Sequence, residues 1–122
     1  MAKQWTVLVV DDEESVRAWL RIELRLRGLG FAEASSGHAA LALCDEAQPD
    51  LVLMDQRMPG LSGLATIEQL RARGFEGPTV LFSAQLAPEL AAEARRLEVI
   101  PISKLARADL FRVIETHAAH SR

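Results

Sequence analysis

Asp55 closes the apolar run Leu51-Val52-Leu53-Met54, and the paired Asp11 and Asp12 close the equally apolar run Val7-Leu8-Val9-Val10. Ser83 closes Thr79-Val80-Leu81-Phe82, and Lys104 follows Val99-Ile100-Pro101-Ile102-Ser103. Three carboxylates brought together repel one another and require a compensating cation at neutral pH. Hard oxygen donors with room for water suit Mg²⁺ better than a softer metal. A lysine and a hydroxyl facing the same crevice offer a charge and a donor to anionic oxygens. Metal on one side and lysine on the other is how phosphoryl oxygens are neutralised during transfer. A carboxylate can itself be the nucleophile, forming an aspartyl phosphate. Asp55 is the candidate, because Asp11 and Asp12 are paired for metal.

Taken singly, each residue has an ordinary explanation. An Asp-Asp pair after a strand often begins a helix, Ser83 suits a helix cap, and a lone Lys or Asp is common at a surface or turn. Their agreement at four strand ends is what favours chemistry.

Short apolar runs alternate with helical patterns, which implies βα units on a parallel sheet. Strands are expected at 6–10, 31–35, 51–55, 79–83 and 99–102. Runs one, three and four are almost wholly apolar, as strands covered on both faces should be, whereas 31–35 suits an edge. Helices are expected from Glu14 to Arg27 before Gly28, from after Ser36-Gly37 to before Pro49, and from a Ser62 cap to Gly74. A fourth begins at Pro88 and covers 88–97, and a fifth runs from Arg107 to Ala118. Right-handed crossovers give a doubly wound sheet whose ligands lie outside the carboxyl ends of the strands. All of Asp11, Asp12, Asp55, Ser83 and Lys104 fall at such ends.

A length of 122 residues suits one domain, with an ordered core of about 5–118 and a fraying tail from His117 to Arg122. Hydrophobic residues at 49%, charged ones at 25% and a net charge of −3 describe an ordinary globular mix with no general attraction to nucleic acid or anionic membrane. No apolar run approaches the roughly 20 residues of a membrane helix, and the N-terminus lacks a secretory layout. The single Cys44 forms no internal disulfide, fits a small buried residue, and is compatible with a reducing cytoplasm.

Val-Asp-Asp-Glu at 10–13, Asp55-Gln-Arg-Met-Pro-Gly-Leu-Ser-Gly63, Ser83-Ala84 and Lys104 together resemble the receiver domain of two-component response regulators, over essentially the whole chain. The resemblance implies a flavodoxin-like α/β fold with five parallel strands in order 2-1-3-4-5 and helices on both faces. It implies that Asp55 accepts a phosphoryl group from a phosphohistidine of a sensor histidine kinase or phosphotransfer protein. By the same resemblance Asp12, Asp55 and the Arg57 backbone carbonyl coordinate Mg²⁺, while Asp11 holds metal-bound water. Ser83 and Lys104 grip the phosphoryl oxygens, Ser83 moving to do so. Arg57 and Gln85, two residues beyond Asp55 and Ser83, flank the hydrolytic water and tune the lifetime of the phosphate, or are simply solvated.

Three features depart from the family pattern. Lys104 precedes Leu105 where the family has a cis proline, so a trans bond is expected, a non-proline cis bond costing about 3 kcal/mol. Pro101 stands where the family places an aromatic reporter, and the chain has no tyrosine. Proline lacks an N–H, which fits an edge strand. The usual glycine before the fifth strand is missing, with Leu97 near its place. The switch region of Ser83, Pro101 and Leu105 is therefore expected to report phosphorylation differently, through the loop after Ser83 and helix 88–97.

Arg17, Arg21 and Arg25 form a stripe on the first helix that reads chiefly as a solvated face. Beside it Ile22 and Leu26 are expected to be partly exposed, and the resemblance implies that this helix helps dock the kinase or phosphotransfer partner. His38, His117 and His120 have no ligand-like spacing and read as surface residues. Two other functions compete with the switch. An Mg²⁺-dependent phosphatase with an Asp nucleophile wants a second Asp two residues on, where Asp55 has Arg57 and Asp11 has Glu13. A receiver-like adapter working without phosphorylation is suggested by Pro101 and Leu105. DNA binding by this domain is disfavoured, since no recognition helix or basic surface remains. The downstream effector is not legible.

Overall fold

The computed structural model describes residues 4–121. Its elements run β1 (Thr6–Val10), α1 (Glu14–Leu26), β2 (Gly30–Ala34), α2 (Gly37–Glu46), β3 (Leu51–Met54), α3 (Gly63–Ala72), β4 (Thr79–Ser83), α4 (Pro88–Arg96), β5 (Ile100–Ser103) and α5 (Arg107–His120). The strands form one sheet in the order β2-β1-β3-β4-β5, every neighbouring pair parallel. Expected and observed boundaries differ by one or two residues, as frayed ends do.

Alternation along the strands sorts the core into two layers. Val7 and Val9 of β1, with Leu51, Leu53, Val80 and Phe82, pack against Leu20 and Leu24 of α1 and Leu110, Phe111 and Ile114 of α5. Leu8 and Val10, with Val52, Met54 and Leu81, pack against Leu41 and Cys44 of α2, Ile67 and Leu70 of α3, and Ala94 of α4. Cys44 is buried, as its apolar surroundings in the sequence suggest. β5 is an outer strand, and Pro101 pairs with Leu81 there, where a residue without an N–H is tolerated.

Three helices end with the same left-handed step. After α1, Gly28 has φ +73° and the Leu29 N–H reaches the Leu24 carbonyl at 3.0 Å. After α3, Gly74 has φ +100° and Phe75 reaches Leu70 at 3.1 Å. After α4 the residue in this conformation is Glu98, at φ +59°, with Val99 reaching Ala94 at 2.8 Å. The missing glycine therefore belongs at position 98, and Leu97 is the ordinary capping residue before it. Arg71 of α3 supports this turn, donating to the carbonyls of Leu97 and Glu98 and to Thr79 Oγ1. No peptide bond among the described residues is cis, so Leu105 follows Lys104 through a trans bond. Among them, too, no helix is long and apolar enough to cross a membrane.

Candidate phosphoryl and metal site

Asp11 follows the last residue of β1, and its N–H bonds the Ala34 carbonyl of β2 at 3.1 Å. Its carboxylate is buried and held from two sides: Oδ1 accepts the Glu13 N–H at 2.9 Å and Oδ2 accepts from Lys104 Nζ at 2.8 Å. Asp12 points to solvent. The Asp55 N–H still bonds β1 through the Val10 carbonyl, at 2.9 Å. The Asp55 side chain is buried, with Oδ1 accepting the Gln56 N–H at 3.0 Å and lying 3.4 Å from Lys104 Nζ.

The loop carrying Asp55 is tied to the start of α3. Gln56 accepts the Gly63 N–H on its carbonyl at 3.0 Å and the Leu64 N–H on its side chain at 2.9 Å. Ser62 caps the helix by accepting from Ala65. At Gly63 a Cβ would lie 2.2 Å from the Asp55 carbonyl oxygen, so only glycine permits this approach. On the other side, buried Ser83 donates its hydroxyl to the Gln85 carbonyl at 3.3 Å. The Lys104 N–H bonds the Ser83 carbonyl at 3.0 Å, so β4 and β5 deliver the hydroxyl and the ammonium together.

One carboxylate oxygen from each of Asp11, Asp12 and Asp55 lies within 4.8 Å of the others. Burial pushes the Asp55 carboxyl above the usual carboxylate range and the Asp11 charge pushes it further, against the pull of Lys104. Burial works against the Lys104 charge, but the hydrogen bond to Asp11 and the two carboxylate charges outweigh it and raise its pKa. Among the described residues, a single ammonium thus pairs with Asp11 and Asp55, and Asp12 adds a third carboxylate beside them. An all-oxygen donor set of this charge, open to solvent at Asp12, fits a hard divalent cation. Beside it lies a cavity of about 160 Å³, lined by Asp55, Ser83 and Lys104 together with Glu13, Arg57 and Gln85.

The five expected residues therefore converge, and Arg57 and Gln85 line the same cavity. Pro101 and Leu105 do not line it; Leu105 is 92% exposed and its N–H bonds Ser103 Oγ. The expectation of a solvated arginine stripe fails at Arg17. Its side chain is only 12% exposed, and it binds Glu33, Glu14 and the backbone carbonyl of Asp11. Arg21 also pairs with Glu33, while Arg25, Ile22 and Leu26 are exposed. Glu33 lies on β2, sixteen residues along the chain from Arg17 on α1, so no local spacing announces the pair. The roles of Gln56 and Gly63 were also missed, although both lie inside the motif around Asp55. His38 and His120 are exposed as expected, whereas His117 is half-buried and bonds the Val113 carbonyl.

A doubly wound sheet with an acidic crevice at the carboxyl ends of its strands is an arrangement shared with known proteins. The model of the response regulator receiver domain matches residues 7–110, and the chain belongs to that family. Regulatory protein AtoC of Escherichia coli is 38% identical over 90 residues, covering 74% of this chain and 20% of that protein. Sensory transduction protein RegX3 of Mycobacterium bovis is 41% identical over 80 residues, covering 66% of this chain and 35% of its own length. The chain thus spans about a fifth to a third of these relatives. Response regulator TrrA of Thermotoga maritima, solved in complex with Mg²⁺–BeF, superposes with a TM-score of 0.81 at 25% identity, covering 92% of this chain and 97% of that one. The Francisella response regulator 1452 receiver domain shares the fold with a TM-score of 0.87 at 22% identity, covering 96% and 98%. Receiver domains are signalling domains with a phosphorylation switch as their general role, not turnover enzymes.

Proposed function

We propose that this single domain is a phosphorylation-dependent switch in which Asp55 is the phosphoacceptor. The observation that carries the reading is the meeting of Asp55, Asp11, Asp12 and Lys104 at the ends of three strands, beside a cavity that Ser83 also lines. An Asp55 carboxylate oxygen forms the new P–O bond while the N–P bond of a kinase or phosphotransfer phosphohistidine breaks, leaving neutral imidazole after proton uptake. Lys104 and the Ser83 hydroxyl hold the phosphoryl oxygens, and Ser83 leaves the Gln85 carbonyl to do so. Asp12, Asp55 and the Arg57 backbone carbonyl would hold Mg²⁺, with Asp11 ordering water at the site. When bound, Mg²⁺ neutralises charge building on the phosphoryl oxygens. Arg57 and Gln85 govern access of the hydrolytic water to the aspartyl phosphate. The exposed Ile22 and Leu26 of α1 contribute to the kinase contact.

Intact mass after incubation with a small acyl phosphate and Mg²⁺ tests this. A single phosphoryl adduct is expected, absent from Asp55→Asn. No adduct on the wild type favours an adapter that works without phosphorylation, and an adduct that survives in Asp55→Asn rejects the nucleophile.

The relay runs from Ser83 through residues 84–87 into α4. Supporting it, Ser83 bonds within that loop, and α4, which begins at Pro88, has Ala87 at its N-cap position with no side-chain cap. Hydrogen exchange with and without a phosphoryl mimic should change at residues 84–92. A change confined to 99–106 rejects the relay.

A further inference from the structure

The chain leaves the sheet at Asp11, and the Asp11 carbonyl oxygen is met by Arg17 Nη1 at 2.6 Å. The guanidinium has no freedom in making this bond. Its Nε donates to Glu33 Oε1 at 2.8 Å and its Nη2 to Glu14 Oε2 at 2.5 Å. The second Glu33 oxygen is taken by Arg21 Nη2 at 2.5 Å. Glu33 is itself fixed, pairing in register with Val9 of β1. The fork is thus locked by two carboxylates, and its remaining arm is directed at the backbone joining Asp11 to Asp12.

We propose that Arg17 is a positioning residue of the acidic cluster, fixing through the Asp11 carbonyl the peptide that presents Asp11 and Asp12 to a divalent cation. The inference rests on the reading of that cluster as an Mg²⁺ site. Mg²⁺ demands near-octahedral geometry at about 2.0–2.1 Å, so displacement of this peptide by a fraction of an ångström is felt in affinity. Loss of a partner that orients a ligand group costs roughly 10–100-fold in metal affinity. Lysine cannot replace the fork, because a point charge cannot hold three acceptors in separate directions.

The sign of the effect separates positioning from charge. By its field alone, removing a cation near a cation site tightens Mg²⁺ binding, whereas loss of positioning weakens it. Calorimetric titration of the intact domain with Mg²⁺ is expected to show Arg17→Gln weakened by about 10-fold or more. Arg17→Lys, which keeps the charge, should stay weakened and carries the same expectation if Arg17→Gln does not fold. Arg21→Gln, which shares Glu33 but does not touch Asp11, should stay within about two-fold of wild type, consistent with a partner outside the ligand shell. Thermal unfolding without metal reports the structural cost of each change separately.

An Arg17→Gln protein that melts lower yet binds Mg²⁺ as wild type does would reduce Arg17 to a structural ion pair and overturn the proposal. Tighter binding, or full recovery in Arg17→Lys, overturns it in favour of charge. Wild type that binds no Mg²⁺ at all removes the metal-site reading itself, a result distinct from failure of the positioning role.

Discussion

Replacing Lys104 with methionine keeps most of the buried stem and removes the one ammonium that faces Asp11 and Asp55. At an effective dielectric near 20, attractions across 2.8 and 3.4 Å amount to about 6 and 5 kcal/mol, and two carboxylate oxygens within 4.8 Å of each other repel by about 3.5 kcal/mol or more. These are gross energies, offset by the desolvation of a side chain only 15% exposed. Removing one partner of a buried pair costs roughly 3–5 kcal/mol, so metal-free Lys104→Met should lose about 3 kcal/mol at neutral pH and still fold. Urea unfolding measures this loss. The Asp55 carboxyl is already raised by burial and by Asp11, and loses the opposing pull of Lys104 in the variant. Its charge is therefore a penalty above its raised pKa, and the deficit should shrink as pH falls through that range. Mg²⁺ should replace the missing charge and restore most of the stability. Freed from competition with the ammonium, it should also bind about tenfold tighter, equivalent to about 1.4 kcal/mol. Unchanged metal-free stability, or weaker Mg²⁺ binding in the variant, would refute Lys104 as the compensating charge.

Gly63→Ala should destabilise the domain by about 2 kcal/mol in denaturant titration and lower the rate of phosphoryl adduct formation, because its Cβ meets the Asp55 carbonyl oxygen at 2.2 Å. Glu98→Gly should stabilise by about 1 kcal/mol, since glycine adopts φ +59° without the penalty of a Cβ. Without metal, Asp55→Asn should be more stable than wild type at neutral pH, and the two curves should converge once pH falls below the ordinary carboxylate range. Convergence at alkaline rather than acid pH would contradict burial as the cause of the raised Asp55 pKa.

The fold was legible because the three central strands are apolar on both faces, a pattern that only a sheet covered by helices on both sides explains. Ser62 and Pro88 marked helix starts by local chemistry, and each stands where that chemistry puts it. The convergence of Asp11, Asp12, Asp55, Ser83 and Lys104 followed from the rule that parallel strands end together. What stayed hidden was set by distance in the chain or by context. Arg17 read as a surface stripe because Glu33, which captures it, lies sixteen residues away on a neighbouring strand. Glu98 carried no sign of a left-handed conformation, since that is imposed by the bonding of Val99 to Ala94 and by Arg71.

Two of the departures, Glu98 and Pro101, lie at the C-terminal end of α4 and on β5, away from the α4 N-terminus. On the relay proposed above, α4 has unequal ends. Its C-terminal turn is closed by the Val99–Ala94 bond and by Arg71 donating to two carbonyls, and β5 beyond it carries proline where an aromatic reporter would sit. Its N-terminus has Ala87 in place of a Ser or Asp cap, a lack worth about 1 kcal/mol. Helix ends of this kind open first, since local opening draws on the segments with fewest bonds to break. The Ser83 hydroxyl bonds the Gln85 carbonyl only two residues along that same segment. Moving Ser83 toward a phosphorylated Asp55 releases the loop at its anchored point and leaves Arg71 holding the far end. A helix fixed at one end and freed at the other can pivot, and this requires neither an aromatic side chain on β5 nor a proline after Lys104.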